Sequence, residues 1–262
     1  MSQTVATALG ATAGLTIFLG LPVARLRGLS RRAQGFMNAV ATGILVFLLW
    51  DILAHATGPV EKALTASRGT GVLPFAVLAL VFAAGIGVGL LSLVYSNRRL
   101  AAHFRRAHES TPSRDLAMMI ATGLGLHNLS EGLAMGQSAA TGAVALFGVL
   151  VVGFALHNVT EGFGIAAPMA VDPARPSWGF LALTGLIGGG PTFLGTVVGY
   201  LAVSPVVYVL FLALAAGALL YVLNEMFPLC RRLNSPSGLA WGLLAGFLAA
   251  YSTDLLLTFA AA

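Results

Sequence analysis

Residues 141–168 read TGAVALFGVLVVGFALHNVTEGFGIAAP. The run holds no Lys, Arg or Asp and a single carboxylate, Glu161. A helix needs about 20 predominantly apolar residues to cross the hydrocarbon core of a bilayer. The stretch therefore predicts a membrane-spanning helix that stops at Pro168. Within it stand His157, Asn158 and Glu161. An ionisable group at that depth costs about 2.5–3.5 kcal/mol on insertion scales, so such residues point to function.

The rest of the chain has the same character. Of its 262 residues, 58% are hydrophobic and 9% charged, with a mean hydropathy of +0.90. Soluble domains carry about 25% charged residues. A chain this apolar cannot cover itself with polar surface, so its solvent is lipid. The apolar runs predict eight spans, at roughly 3–24, 34–56, 72–95, 115–137, 141–168, 178–202, 204–226 and 238–260. Pro176 to Asn224 carries no charge and is too long for one span. It divides at Ser204-Pro205, where proline ends a helical pattern. The expectation is an all-α polytopic membrane protein with one domain over residues 1–262. No Lys or Arg precedes the first run and its charges follow it, so it is expected to be a retained helix rather than a cleaved signal.

The net charge of +5 does not indicate nucleic acid, because the basic residues sit in short blocks between apolar runs. Arg25, Arg27, Arg31, Arg32, Arg98, Arg99, Arg105, Arg106, Arg114, Arg175, Arg231 and Arg232 all fall on one side of an eight-span layout. Lys62 and Arg68 fall on the other. This positive-inside bias puts both termini outside. The lone Cys230 builds no disulfide or thiolate cage and reads as a buried or interfacial thiol. The long loop near Tyr95 to Arg114 carries His103 and His108 and reads first as a solvated basic loop, second as a metal-catching one. Ala, Gly and Arg richness with few Lys resembles a high-GC bacterium, which would place the chain in the inner cell membrane.

The segment His157-Asn158-Val159-Thr160-Glu161-Gly162 has a partner thirty residues earlier, His127-Asn128-Leu129-Ser130-Glu131-Gly132, and Leu precedes both. That offset is one helix plus a tight turn, so the copies lie on adjacent antiparallel helices. His and Glu at i and i+4 share a helix face, and Asn at i+1 stands at its edge. Each helix thus offers an imidazole, a carboxylate and an amide oxygen. His127 follows Asp115 by twelve residues and His157 precedes Pro168 by eleven, so both lie roughly 17 Å from one membrane face. Two facing wedges give a His₂Glu₂ set suited to zinc and neighbouring divalent ions. The expected ligands are His127, Glu131, His157 and Glu161 in a compact diamond, with Asn128 and Asn158 beside them. Protons compete for such ligands near neutral pH, which permits release.

Other polar groups inside the apolar runs are candidates for an ion pathway. Asp51 and His55 share a face near the outer end of the second span, and Glu225 stands at the inner end of the seventh beside Pro228. Asp254 lies in the outer half of the eighth, with no role read from sequence. Met118, Met119, Met135 and Met169 read as filler, and glycines around the motifs as close helix packing.

At the paired H-N-x-x-E-G motifs the chain resembles the ZIP (Zrt/Irt-like) family of metal-ion transporters. The eight spans, outward termini and long third loop extend the resemblance over the whole chain. It implies a 3+2+3 helix bundle with an inverted repeat, uptake of Zn²⁺ and often Fe²⁺, Mn²⁺ or Cd²⁺ into the cytoplasm, an elevator-like motion, and a homodimer. Three features depart from the family pattern. Ser130 and Thr160 stand where the family has proline, and their hydroxyls are expected to bond the carbonyl at i−4. Asn158 stands where many bacterial relatives have Asp. Residues Thr184 to Pro191 lack the family's glutamate. The expectation is one strong metal site, or a weak second one formed with Asn128 and Asn158. Two other readings are a metal sensor without transport and an intramembrane metallo-hydrolase. The latter requires H-E-x-x-H, which the chain lacks.

Overall fold

The computed structural model describes residues 1–26, 28–104, 111–172, 174–201 and 204–261, and within these the side chains of 70, 96–104, 256–258, 260 and 261 are not described. Arg27, Arg98, Arg99, His103, Arg105, Arg106 and His108 therefore lie outside the described residues or side chains. The described chain is helical, without strands. In order it forms α1 (Gln3–Leu15), α2 (Ile17–Gly20), α3 (Arg31–Thr70), α4 (Leu73–Phe104), α5 (Pro112–Ala140), α6 (Val144–Ala166), α7 (Trp178–Leu201), α8 (Pro205–Leu233) and α9 (Pro236–Ala261). Short 3₁₀ turns extend α2 over Leu21–Arg25 and α6 over Ala167–Val171. Local chemistry sets the boundaries. The hydroxyls of Ser2, Ser30 and Thr111 accept from backbone amides at the starts of α1, α3 and α5. Pro112 and Pro205 occupy first-turn positions, where a missing N–H costs nothing. Gly71 at φ 86° and Gly142 at φ 77° end α3 and turn α5 into α6.

Among the described residues, six helical segments are long and apolar enough to cross a membrane: Gln3–Arg25, Arg31–Gly69, Leu73–Tyr95, Val144–Val171, Trp178–Leu201 and Pro205–Leu233. The expected fourth and eighth spans, α5 and α9, are not among them. Helix α5 places His127, Asn128, Ser130, Glu131 and Gln137 in its length, and α9 carries Ser252, Thr253 and Asp254. Polar content lowers the mean hydropathy of α5, while α9 ends in side chains that are not described. Helix α5 is instead wrapped by protein, with residues buried on every side from Leu116 to Ala139. Three predicted ends move. Helix α3 continues to Thr70, so Lys62 and Arg68 are helical rather than in a loop. Helix α4 continues to Phe104, into the stretch expected as loop. Helix α8 continues to Leu233, so Glu225 is in its body, not at its end.

Glycine contacts sort the helices into two groups. A methyl added at Gly125, Gly132 or Gly136 of α5 would strike the carbonyls of Ile187, Thr192 or Thr196 on α7. One at Gly195 or Gly199 would strike those of Leu129 or Leu133 in return. Gly14 and Gly189 join α1 to α7 in the same way, and Gly20 and Gly162 seal the first helical segment against α6. Thr16 Oγ1 donates to Ala155 O at 2.6 Å, and the Arg25 guanidinium donates to Pro176 O while lying 4.6 Å over the Trp178 ring. Helices α1, α2, α5, α6 and α7 thus form one unit. Gly43 and Gly246 join α3 to α9, and Gly89 and Gly217 join α4 to α8. Asn234 Nδ2 donates to Gly35 O at 2.9 Å, tying α8 to α3 in the second unit.

Between the units, the glycines of α5 and α6 meet side chains rather than backbone carbonyls. A methyl at Gly123 of α5 would lie 3.3 Å from Ala218 Cβ of α8, and one at Gly164 of α6 3.8 Å from Leu45 of α3. One hydrogen bond that crosses is Asn38 Nδ2 to Ala167 O, at 3.1 Å. Cys230 is buried, with Thr42 Oγ1 3.1 Å from its sulfur.

The seams predict unequal responses to one added methyl. Gly132→Ala forces α5 from α7 and is expected to cost about 1–3 kcal/mol or more, lowering the unfolding midpoint in detergent. Gly148→Ala, where nothing lies within 4 Å, should leave the midpoint unchanged or raise it.

Candidate metal site between α5 and α6

The turn at Gly142 sets α6 antiparallel to α5, and the two motif copies meet side by side. Relative exposure is 3% at His127, 0% at Asn128, 7% at Glu131, 4% at His157, and 0% at both Asn158 and Glu161, so the cluster is closed to bulk solvent. Glu161 Oε1 stands 3.9 Å from His127 Nε2 and 3.9 Å from His157 Nε2. The two rings are tilted by 60°, with centroids 6.1 Å apart. One ligand-type atom from each of His127, His157 and Glu161 lies within 4.8 Å of the other two. Glu131 Oε1 is 3.3 Å from His127 Nε2 but outside the trio's mutual range. The structure thus gathers three of the four expected ligands and hangs Glu131 on one of them.

Hydrogen bonding leaves the inward atoms open. Among the described residues, His127 Nδ1 and Nε2, Asn128 Oδ1, Glu131 Oε2, His157 Nε2 and Glu161 Oε1 are buried without a hydrogen-bond partner. His127 and Glu131 are close, yet out of line for a bond. Each unsatisfied buried polar atom costs about 1–3 kcal/mol. A tetrahedral ion with ligand bonds of about 2.0–2.2 Å holds its ligand atoms about 3.3–3.6 Å apart. The 3.9 Å separations of Glu161 Oε1 from the two imidazole nitrogens fit one shared cation after small closure.

Both asparagines engage their amide nitrogens. Asn158 Nδ2 donates to Phe154 O at 2.8 Å. Asn128 Nδ2 donates to Asn158 Oδ1 at 2.8 Å and Glu161 Oε2 at 2.7 Å, and also to Gly188 O of α7 at 3.0 Å. Sequence reasoning missed Gly188, because a backbone carbonyl has no residue signature. Ser130 Oγ donates to Leu126 O at i−4, 3.4 Å away, as expected. Thr160 Oγ1 donates instead to His157 O at i−3, 2.7 Å away.

The pathway candidates lie outside this cluster. His55 Nδ1 is 3.3 Å from Asp51 Oδ1 on α3. Asp51 interacts electrostatically with His127 and His157, and Asp254 of α9 with Asp51, His55 and His157. Asp254 thus joins a polar side of the site that sequence reading left unassigned. Glu225 of α8 is half-buried and belongs to the other packing unit.

Residues 96–254, more than half of the chain, match the family model described as ZIP Zinc transporter. A search of curated proteins finds no match. The matched span contains both motif helices, α7 and α8, and its members are transporters of divalent metals rather than enzymes. The chain belongs to the ZIP family of metal-ion transporters.

Proposed function

We propose that the chain carries divalent metal ions, zinc foremost, into the cytoplasm through a site made by His127, Glu131, His157 and Glu161. The observation that carries this reading is one fully buried carboxylate oxygen, Glu161 Oε1, placed 3.9 Å from each of two imidazole nitrogens. Two carboxylates and two neutral imidazoles bring a charge of minus two. A divalent ion neutralises that set, whereas a monovalent ion leaves net charge in a low-dielectric interior. Fe²⁺, Mn²⁺ and Cd²⁺ suit the same donor types.

The chain works as eight spans in a 3+2+3 bundle with an inverted repeat, as a homodimer, multi-pass in a bacterial inner membrane. Both termini face outward. Asp51, His55 and Asp254 line the outer approach, and Glu225 stands on the inner side. Alternating access follows from the two packing units. Glycine-to-carbonyl seams lock α1, α2, α5, α6 and α7 into one body that holds the ligands. At Gly123 and Gly164 that body meets side chains of α8 and α3 rather than backbone carbonyls, and there it slides against α3, α4, α8 and α9. An outward-facing site takes an ion from water, and the sliding body delivers it inward.

Three measurements test this. In sealed liposomes, His127→Ala or Glu161→Ala should cut zinc uptake by roughly tenfold or more. Wild-type protein that binds zinc but moves none would be a sensor. In a Cys230→Ser background, oxidising the pair Gly123→Cys with Ala218→Cys should arrest uptake and reduction should restore it. Uptake that survives a complete cross-link rules out sliding at this interface. A C-terminal alkaline phosphatase fusion should be active, and an inactive, cytoplasmic one would reverse the proposed orientation.

A further inference from the structure

The amide orientations in the site are fixed by groups that can only accept. Phe154 O takes the Asn158 amide protons at 2.8 Å, so Asn158 turns its Oδ1 toward Asn128. Gly188 O on α7, Asn158 Oδ1 and Glu161 Oε2 then surround Asn128 Nδ2 at 3.0, 2.8 and 2.7 Å. Three acceptors face one nitrogen that carries two protons. Flipping Asn128 would set its oxygen against three oxygens. Its nitrogen must face the carboxylate.

We propose that Asn128 is a positioning residue that acts through its amide nitrogen, tethering Glu161 Oε2 to the α7 backbone so that Glu161 Oε1 alone addresses the ion. This rests on the transport reading above and deepens it into a selectivity. A carboxylate held by one oxygen is a single ligand. With His127 Nε2 and His157 Nε2, also without partners, it makes an N₂O set that Glu131, beside His127, completes to four on closing toward the trio. Zinc accepts four ligands in a tetrahedron. Mn²⁺ prefers six oxygen-rich ligands and gains when carboxylates bind through both oxygens. The tether therefore favours zinc over manganese. Asn158 spends both its nitrogen and its oxygen on these bonds, while Asn128 spends its nitrogen and leaves Oδ1 without a partner.

The test compares wild type with Asn128→Asp and Asn128→Ala. Asn128→Asp keeps the shape and an oxygen but loses the donor, while Asn128→Ala loses both without adding charge. Zinc and manganese uptake are each measured as KM and maximal rate in liposomes. Bound zinc per chain is measured in detergent by equilibrium dialysis, with the unfolding midpoint alongside. The expected result is a zinc-to-manganese preference that falls by about tenfold in both variants, through KM, with one zinc bound per chain throughout. The proposal is overturned if Asn128→Asp keeps or sharpens the zinc preference, or binds a second zinc, since the oxygen would then be the working atom. Equal loss of both ions at unchanged preference, or loss of folded protein in both variants, makes the residue structural and also overturns it. Wild-type protein that moves neither ion refutes the underlying transport reading instead.

Discussion

A carboxylate with no exposed surface in the middle of an apolar protein is the constraint on which the rest depends. Glu161 sits at 0% exposure, with Asn128, His127 and His157 beside its oxygens. One oxygen takes the Asn128 amide and the other faces two imidazoles. That arrangement requires Asn128 to be held, and Gly188 O of α7 helps hold it. The bond in turn requires α7 to lie against α5 at a distance that no side chain permits. Gly125, Gly132 and Gly136 on one helix, and Gly195 and Gly199 on the other, supply that distance. The packing of two helices and the polar geometry between α5 and α6 are thus one problem with one solution.

The same reasoning explains why the ligands belong to a rigid body. In lipid, apolar side chains gain little by meeting one another, so helix association rests on close packing and hydrogen bonds. Where glycine lets backbones touch, the helices are locked. Where Ala218 or Leu45 intervenes, as opposite Gly123 and Gly164, the glycine meets a side chain instead of a carbonyl. The proposed motion follows from where the chain does and does not place glycine against a carbonyl.

Local features were legible in the sequence and long-range ones were not. The i, i+4 spacing of His127 with Glu131 and of His157 with Glu161 states which groups share a face, because helix geometry fixes it. It does not state how far apart facing helices stand. That is why the expected four-sided arrangement becomes a trio with Glu131 attached through His127. Hydropathy located the apolar runs but misplaced three helix ends, since it reports lipid thickness rather than backbone hydrogen bonding. Helix α3 runs on through Glu61, Lys62, Ala63 and Leu64, good helix formers, until Gly71 adopts a positive φ. The asparagines read as ligands because an amide oxygen is a plausible donor to a metal. Only the positions of Phe154 O and Gly188 O reveal that their amide nitrogens are already engaged.

The replacement of proline by Ser130 and Thr160 bears on the same point. Proline at either position would delete a backbone hydrogen bond beside a ligand and kink the helix there. Here α5 runs unbroken from Pro112 to Ala140 and α6 from Val144 to Ala166, straight through both motifs. The hydroxyls add side-chain bonds to Leu126 O and His157 O without removing any from the ladder. Two continuous helices sealed to α7 and α2 hold their ligands at fixed spacing and offer no hinge at the site. In the proposed transport cycle, movement that exposes the site to either side then comes from displacement of the whole unit. That displacement would fall at the boundary lined by Gly123, Ala218, Gly164 and Leu45, where side chains rather than backbone carbonyls meet the glycines.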